Sequence, residues 1–292
     1  ARGGTGALVD GLCRLAQEVG IRLELGQTVE QIETRNGRVR GVHTDSGRGY
    51  AADAVIANTD PAHLYARLLP KKSTRFPARV KQRQARYSMG LFVLYFGTRR
   101  RYEQLAHHTI VLGERYRDLL ADIFDRGVLA DDFSLYLHRP TATDPSFAPP
   151  GCDSFYVLCP VPNLSSSIDW AVEGPCLQQR IVAALEQRLM PGLSETLTAD
   201  FFMTPEDFAH DYLSEHGAGF SIAPLFRQSA WLRFHNRAEG PAGLFLVGAG
   251  THPGAGLPGV VTSAKVVERL LPSPMSDAHP AAIAEAAARS AP

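Results

Sequence analysis

Apolar positions along this chain repeat with two different periods, and each change of period marks a new element. Leu8, Leu12, Leu15 and Val19 stand at i, i+4, i+7 and i+11 behind Gly3-Gly4-Thr5-Gly6. That spacing predicts an amphipathic helix with one apolar stripe, stopped at Gly20. Ile21, Leu23 and Leu25 then alternate with polar residues and predict a strand. Val29 and Ile32 predict another, running into Asn36-Gly37, a strong hairpin signal. Val39 and Val42 lie on the return strand, and Asp45-Ser46-Gly47 makes the next turn. Ala54 to Ala57 is a short apolar run of the kind buried on both faces, ending at Asn58.

Residues 61–86 read as partly helical. Leu91 to Phe96, Thr109 to Leu112, Phe133 to Leu137 and Phe155 to Val161 are rich in β-branched and aromatic residues and predict an antiparallel sheet. A helix follows over Glu173 to Leu189, with Leu177, Ile181, Leu185 and Leu189 on one face. Phe201-Phe202 predicts the last strand of the sheet. Thr204-Pro205-Glu206-Asp207 opens a helix, with proline at its first position and acids in the first turn. Leu244 to Val247 is a buried strand, and a glycine-rich turn leads to a helix over Pro258 to Leu271 with Val260, Ala264, Val267 and Leu271 as its buried stripe.

These elements predict an α/β (α+β) chain in four parts. Residues 1–60 form a helix, a β-meander and a strand. Residues 61–235 carry the antiparallel sheet and its helices, residues 236–272 a strand-turn-helix unit, and residues 273–292 an Ala-rich tail.

Formal net charge is zero over 292 residues, so no global field would gather nucleic acid. The charge is uneven, however: from Pro61 to Tyr102 there are eleven Lys or Arg and no Asp or Glu. Cys13, Cys152, Cys159 and Cys176 form no C-x-x-C pair. They predict mostly buried thiols of a cytoplasmic protein, with neither zinc site nor disulfide frame. No run of apolar residues is long enough to span a bilayer.

The chemistry concentrates in Gly248-Ala249-Gly250-Thr251-His252-Pro253-Gly254-Ala255-Gly256-Leu257-Pro258-Gly259. Glycines let backbone approach a ligand, and the helix beyond offers unpaired N–H groups and partial positive charge. An anion, a phosphate or the N1–C2=O edge of a reduced flavin would be stabilised there. Gly254, Gly256 and Gly259 match G-x-G-x-x-G, but no second strand follows, so this is not the start of a dinucleotide-binding βαβ unit. The alternative to a ligand site is a turn that only packs helix on strand.

The string LFLVGAGTHPGAGLPGVV, Leu244 to Val261, resembles the C-terminal signature of bacterial-type phytoene desaturases. RGGTGALVDGL (Arg2 to Leu12), LFVLYFG (Leu91 to Gly97), FSLYLHRP (Phe133 to Pro140) and QSAWLRFHNR (Gln228 to Arg237) are similar to the same family. The resemblance implies FAD as cofactor and desaturation of phytoene-like polyenes. It makes residues 1–60 and 236–272 parts of a Rossmann-like FAD-binding domain, and 61–235 a substrate and membrane-docking domain. It places Gly248, Ala249, Gly250, Thr251, Gly256, Pro258, Gly259 and Val260 at the cofactor. Gly250 would approach the ribityl or pyrophosphate, and the N–H groups of Pro258, Gly259 and Val260 the isoalloxazine. Val29 would hold adenine through its backbone, or else is an ordinary core valine. On this reading Gly259→Val expels flavin and leaves the fold largely intact.

The chain departs from the family at its start. Residues 1–60 contain no strand–G-x-G-x-x-G–helix, so it is expected to be the C-terminal three-fifths of such an enzyme, without the first FAD half-site and inactive alone. Rival readings are a carotenoid isomerase or saturase, another carotenoid desaturase, or a truncated non-catalytic domain; a soluble amine oxidase fits the glycine turn less well. His252 is either an acid–base group or a residue that shapes the turn, and no carboxylate stands out as a base. His107-His108 would point to opposite faces of a strand, which argues against a shared metal. Phe92, Tyr95, Phe96 and Phe201-Phe202 line a hydrocarbon tunnel or fill a sheet core. Asn58 and Asp60 read as a turn. The basic segment 61–86, with Leu64, Tyr65, Leu68 and Leu69, suits a peripheral site on an anionic membrane.

Overall fold

The structure, a computed structural model, describes residues 2–272; the tail expected over 273–292 lies outside them. Helix α1 (Gly4–Glu18) leads through an irregular stretch to an antiparallel meander of β1 (Val29–Arg35), β2 (Arg38–Thr44) and β3 (Gly49–Ala51). Asn36 and Gly37 both take positive φ, 53° and 71°, as the tight hairpin requires. Strand β4 (Val55–Ala57) pairs in parallel with β10 (Leu244–Leu246), Val55 opposite Leu244.

Between these lies a helical segment of α2 (Pro61–His63), a π-turn over Leu64–Leu68 and α3 (Phe76–Gln84). A five-stranded antiparallel sheet follows, ordered β6-β7-β8-β5-β9. Its strands are β5 (Gly90–Thr98), β6 (His108–Val111), β7 (Leu135–His138), β8 (Asp153–Val161) and β9 (Leu197–Met203). Helix α4 (Tyr116–Ala121) links β6 to β7, while α5 (Trp170–Arg188) and α6 (Leu193–Thr196) link β8 to β9. Helix α7 (Pro205–Asp211) starts on the expected signal: Asp207 Oδ2 accepts the Thr204 N–H at 2.6 Å and its hydroxyl at 2.9 Å. Helix α8 (Leu257–Leu270) ends the described chain.

Two cores result. The first joins one face of the large sheet to α5, with Leu177, Ile181 and Leu185 buried against Phe92, Leu137 and Val157. The second joins Ile32 and Val39 of the meander to Leu64, Tyr65, Leu68 and Leu69, and to Phe234, Leu244 and Leu246.

Several expectations are corrected. The stripe of α1 is not buried: Leu8, Leu12, Leu15 and Val19 are all exposed. Ile21, Leu23 and Leu25 form no strand and are exposed too; the Ile21 N–H goes instead to the Ala16 carbonyl at the end of α1. Ile56 is exposed in β4, whereas β10 is wholly buried. On α8, Ser263 and Val267 are buried but Ala264 is exposed. Cys13 and Cys176 are exposed, not buried. No helix among the described residues is long and apolar enough to cross a membrane.

Candidate functional site

The glycine turn leaves β10 and enters α8, and its two halves differ. Gly248, Gly250 and Thr251 are buried; Gly256, Leu257 and Pro258 are exposed. A β-carbon on Gly248 would collide with Asn58 Oδ1, and one on Gly250 with the Pro61 ring and Ser221. Gly248 also needs glycine for its φ of 100°. The Asn58–Asp60 turn thus carries the atoms against which this half of the site is packed. Asp60 caps α2 by accepting the Ala62 N–H at 2.8 Å, and it accepts the Ser221 hydroxyl at 2.6 Å.

Two buried side chains clamp the turn from the QSAWLRFHNR segment. Arg233 donates from Nε to the Thr251 carbonyl at 2.9 Å and from Nη2 to the Ala249 carbonyl at 2.6 Å. Asn236 donates to the carbonyls of Leu246 at 3.1 Å and His252 at 2.9 Å. Ser263 of α8 accepts the Gly248 N–H at 2.9 Å. Periodicity missed all three; Arg233 and Asn236 are signalled only by the family-like QSAWLRFHNR string that holds them. Thr251 bonds inward to the Gly248 carbonyl at 3.1 Å, so its hydroxyl shapes the turn. His252 is exposed, and the His252-Pro253 peptide is cis.

The exposed half is the face open to a ligand. Gly256, at φ 93°, precedes the first turn of α8, and a β-carbon there would meet nothing within 4 Å. Donor assignments change here. Pro258 has no N–H, and the Val260 N–H is already given to the Gly256 carbonyl at 2.9 Å. Gly259 is held by packing: a β-carbon on it would lie 2.5 Å from the Gly254 carbonyl oxygen. A valine there would therefore disturb the turn itself, not the ligand alone. Val29 sits half-buried at the head of β1, in a different sheet from the turn.

Beside the turn lies a cavity of about 840 Å³. Leu257 of α8 lines it, as do Tyr95, Tyr156 and Phe201 of the large sheet, Phe147, and the histidines His107 and His138. The two readings of the aromatic run divide by strand face. Phe92 stacks on Phe202 at 5.1 Å inside the α5 core, whereas Tyr95 stacks on Phe201 at 4.6 Å on the cavity side. Burial raises the Tyr95 and Tyr156 phenols, which stay neutral.

The histidines are closer than expected. His107 precedes β6, so strand alternation does not bind it, and its ring centroid is 4.4 Å from that of His108. His138 pairs with His108 across β6 and β7. Burial, with His107 and His108 adding, pushes the His138 imidazole down to about 4.

With the glycine turn and the aromatic cavity described, the chain can be compared with known proteins. The sequence profile described as flavin containing amine oxidoreductase matches residues 1–267. The chain belongs to that family. Within it, the chain is 49% identical over 275 residues to a lycopene-forming phytoene desaturase of Pantoea ananas, covering 92% of this chain and 55% of that one. It is 43% identical over 288 residues to a neurosporene-forming phytoene desaturase of Rhodobacter capsulatus, with 97% and 55% covered. The chain thus spans about half the length of the curated relatives it matches. The fold is also that of an oxidoreductase from Methanosarcina mazei, at TM-score 0.63, 18% identity and coverage of 92% and 55%. The family's flavin fits the residues present: Gly256 leaves open space at a helix start, where positive potential suits a reduced ring.

Proposed function

We propose that this chain is the flavin-turn and substrate-sheet portion of a FAD-dependent desaturase of phytoene-like polyenes. The observation that carries it is the cavity beside α8, where Leu257 at the helix start faces the aromatic wall of Tyr95, Tyr156 and Phe201. When bound, the flavin supplies the acceptor for a hydride from the polyene. The turn from Gly256 to Gly259 would hold the isoalloxazine end, and Val29 the adenine. Stacked rings hold an extended apolar chain by contact area without demanding hydrogen bonds. They also exclude water from the reacting carbons.

A polyene partitions into lipid, so the protein would work at the cytoplasmic membrane face. Docking residues are revised here. Leu64, Tyr65, Leu68 and Leu69 fill the second core and cannot reach lipid. Lys81 is engaged too, 2.5 Å from Glu239. Arg67, Lys71, Lys72, Arg75, Arg79 and Arg83 remain exposed. Phe76, 72% exposed, shares a groove with Leu232 and Arg227, and Phe226 and Trp231 are 96% and 80% exposed nearby in sequence. Aromatic rings beside basic residues suit an anionic interface.

The test is product analysis with the full-length protein and defined polyenes under anaerobic and aerobic conditions. New conjugated double bonds support desaturation. Products with unchanged or lower unsaturation would replace it with isomerisation or saturation on the same scaffold.

A further inference from the structure

Three imidazoles meet at one edge of the large sheet, and two of them are held by neighbouring hydroxyls. One ring nitrogen from each of His107, His108 and His138 lies within 4.8 Å of the others. His107 Nδ1 is held by the Thr143 hydroxyl, and His108 Nδ1 by the Tyr136 hydroxyl at 2.7 Å. Each bond fixes a ring through Nδ1 and turns its Nε2 away from that hydroxyl. Metal-binding histidines are commonly oriented in this way by a partner on the other nitrogen. His107 Nε2 and His138 Nε2 face each other at 2.8 Å. One of the two donates to the other unless a cation takes both lone pairs, and His138 Nδ1 is buried without a hydrogen-bond partner.

The scaffold beneath is rigid. Arg139 follows His138 and gives its backbone N–H to the His107 carbonyl at 2.9 Å. Its buried guanidinium holds Asp153 at 2.9 Å and the Leu105 carbonyl at 3.0 Å. The loop carrying His107 and the strand carrying His138 are thus tied together.

We propose that His107, His108 and His138 form a binding site for a borderline divalent transition metal ion of the zinc class. Nitrogens on such an ion, at about 2.0–2.1 Å, stand about 2.9–3.4 Å apart. The His107–His138 pair, at 2.8 Å, is just under that spacing, and a ring nitrogen of the exposed His108 lies within 4.8 Å of both. Three neutral imidazoles favour zinc, copper, cobalt or nickel over magnesium or calcium. Because His107 and His138 also line the aromatic cavity, the ion would sit in its wall. This site stands independently of the desaturase reading.

The experiment uses the full-length protein without an affinity tag. Zinc is titrated against a chromophoric chelator, and copper is added for electron paramagnetic resonance. One zinc per chain and nitrogen hyperfine structure from bound imidazoles are expected. Zinc affinity should fall at least about tenfold in His138→Gln and in Tyr136→Phe, the lower end of what losing even a supporting partner costs. Equal zinc affinity in the wild type and both variants would overturn the site. So would a copper spectrum of the wild type without imidazole nitrogens, a reading that does not depend on any variant folding.

Discussion

A β-carbon on Gly259 would lie 2.5 Å from the backbone oxygen of Gly254, whereas one on Gly256 would meet open space. Gly259→Val is therefore expected to lower both the melting temperature and the flavin content of the full-length protein; a variant that loses flavin at unchanged melting temperature would place the ligand, not the turn, against Gly259. Arg233 holds two carbonyls of the turn. Arg233→Met strands two carbonyls that accept charged hydrogen bonds, and a loss of about 3 kcal/mol in urea denaturation is expected. Asp60 is a case for pH. Burial raises its carboxyl above 3.8, against hydrogen bonds from Ser221 and Ala62, with Glu215 pushing the same way as burial. A folded pKa above the unfolded value means the contribution is full at low pH and is lost as pH rises through the raised value. Asp60→Asn keeps the cap acceptor and carries no charge, so its stability relative to wild type should improve from acid to neutral pH. Asp60→Ala loses the cap and should cost about 1 kcal/mol. Urea midpoints of the three proteins at both pH values decide this.

Among the elements, the helical segment over residues 61–86 buries Leu64, Tyr65, Leu68 and Leu69 and exposes most of its basic residues together with Phe76. Each exposed cation near an anionic surface contributes about 1 kcal/mol before screening. Reversing Lys71, Lys72, Arg75 and Arg79 to Glu should release the full-length protein from anionic liposomes. Phe226→Ser with Trp231→Ser should weaken co-sedimentation that survives high salt, because apolar insertion is not screened. If neither set changes sedimentation, this face does not dock. Helix α1 is the opposite case: its apolar stripe is regular, yet nothing among the described residues covers it.

For the whole molecule, that exposed stripe, Ile56 in β4, and Leu257 and Val261 on α8 leave many large apolar side chains in water. The relatives are nearly twice as long as the matched region. Residues 1–292 expressed alone are expected to be poorly soluble, to hold FAD weakly or not at all, and not to desaturate phytoene. Co-expression with the remainder of the relatives' length should recover flavin binding. A soluble, yellow, active preparation of the chain alone would contradict this.

By itself the sequence determined the elements whose signals are local. The Asn36-Gly37 hairpin, the Thr204 cap of α7, the buried face of α5 and the strands of the large sheet follow from turn chemistry and period, which need no distant partner. It also determined the family, because the glycine turn and its flanks are one continuous string. Tertiary structure alone decided what those residues touch. Strand faces assigned Phe92 to a core and Tyr95 to a cavity. Long-range contacts brought Arg233 and Asn236 onto the turn and gathered His107, His108 and His138. The same dependence made Leu8 to Leu25 mislead: an apolar period records that a face is built to be covered, and only the packed chain supplies the surface that covers it.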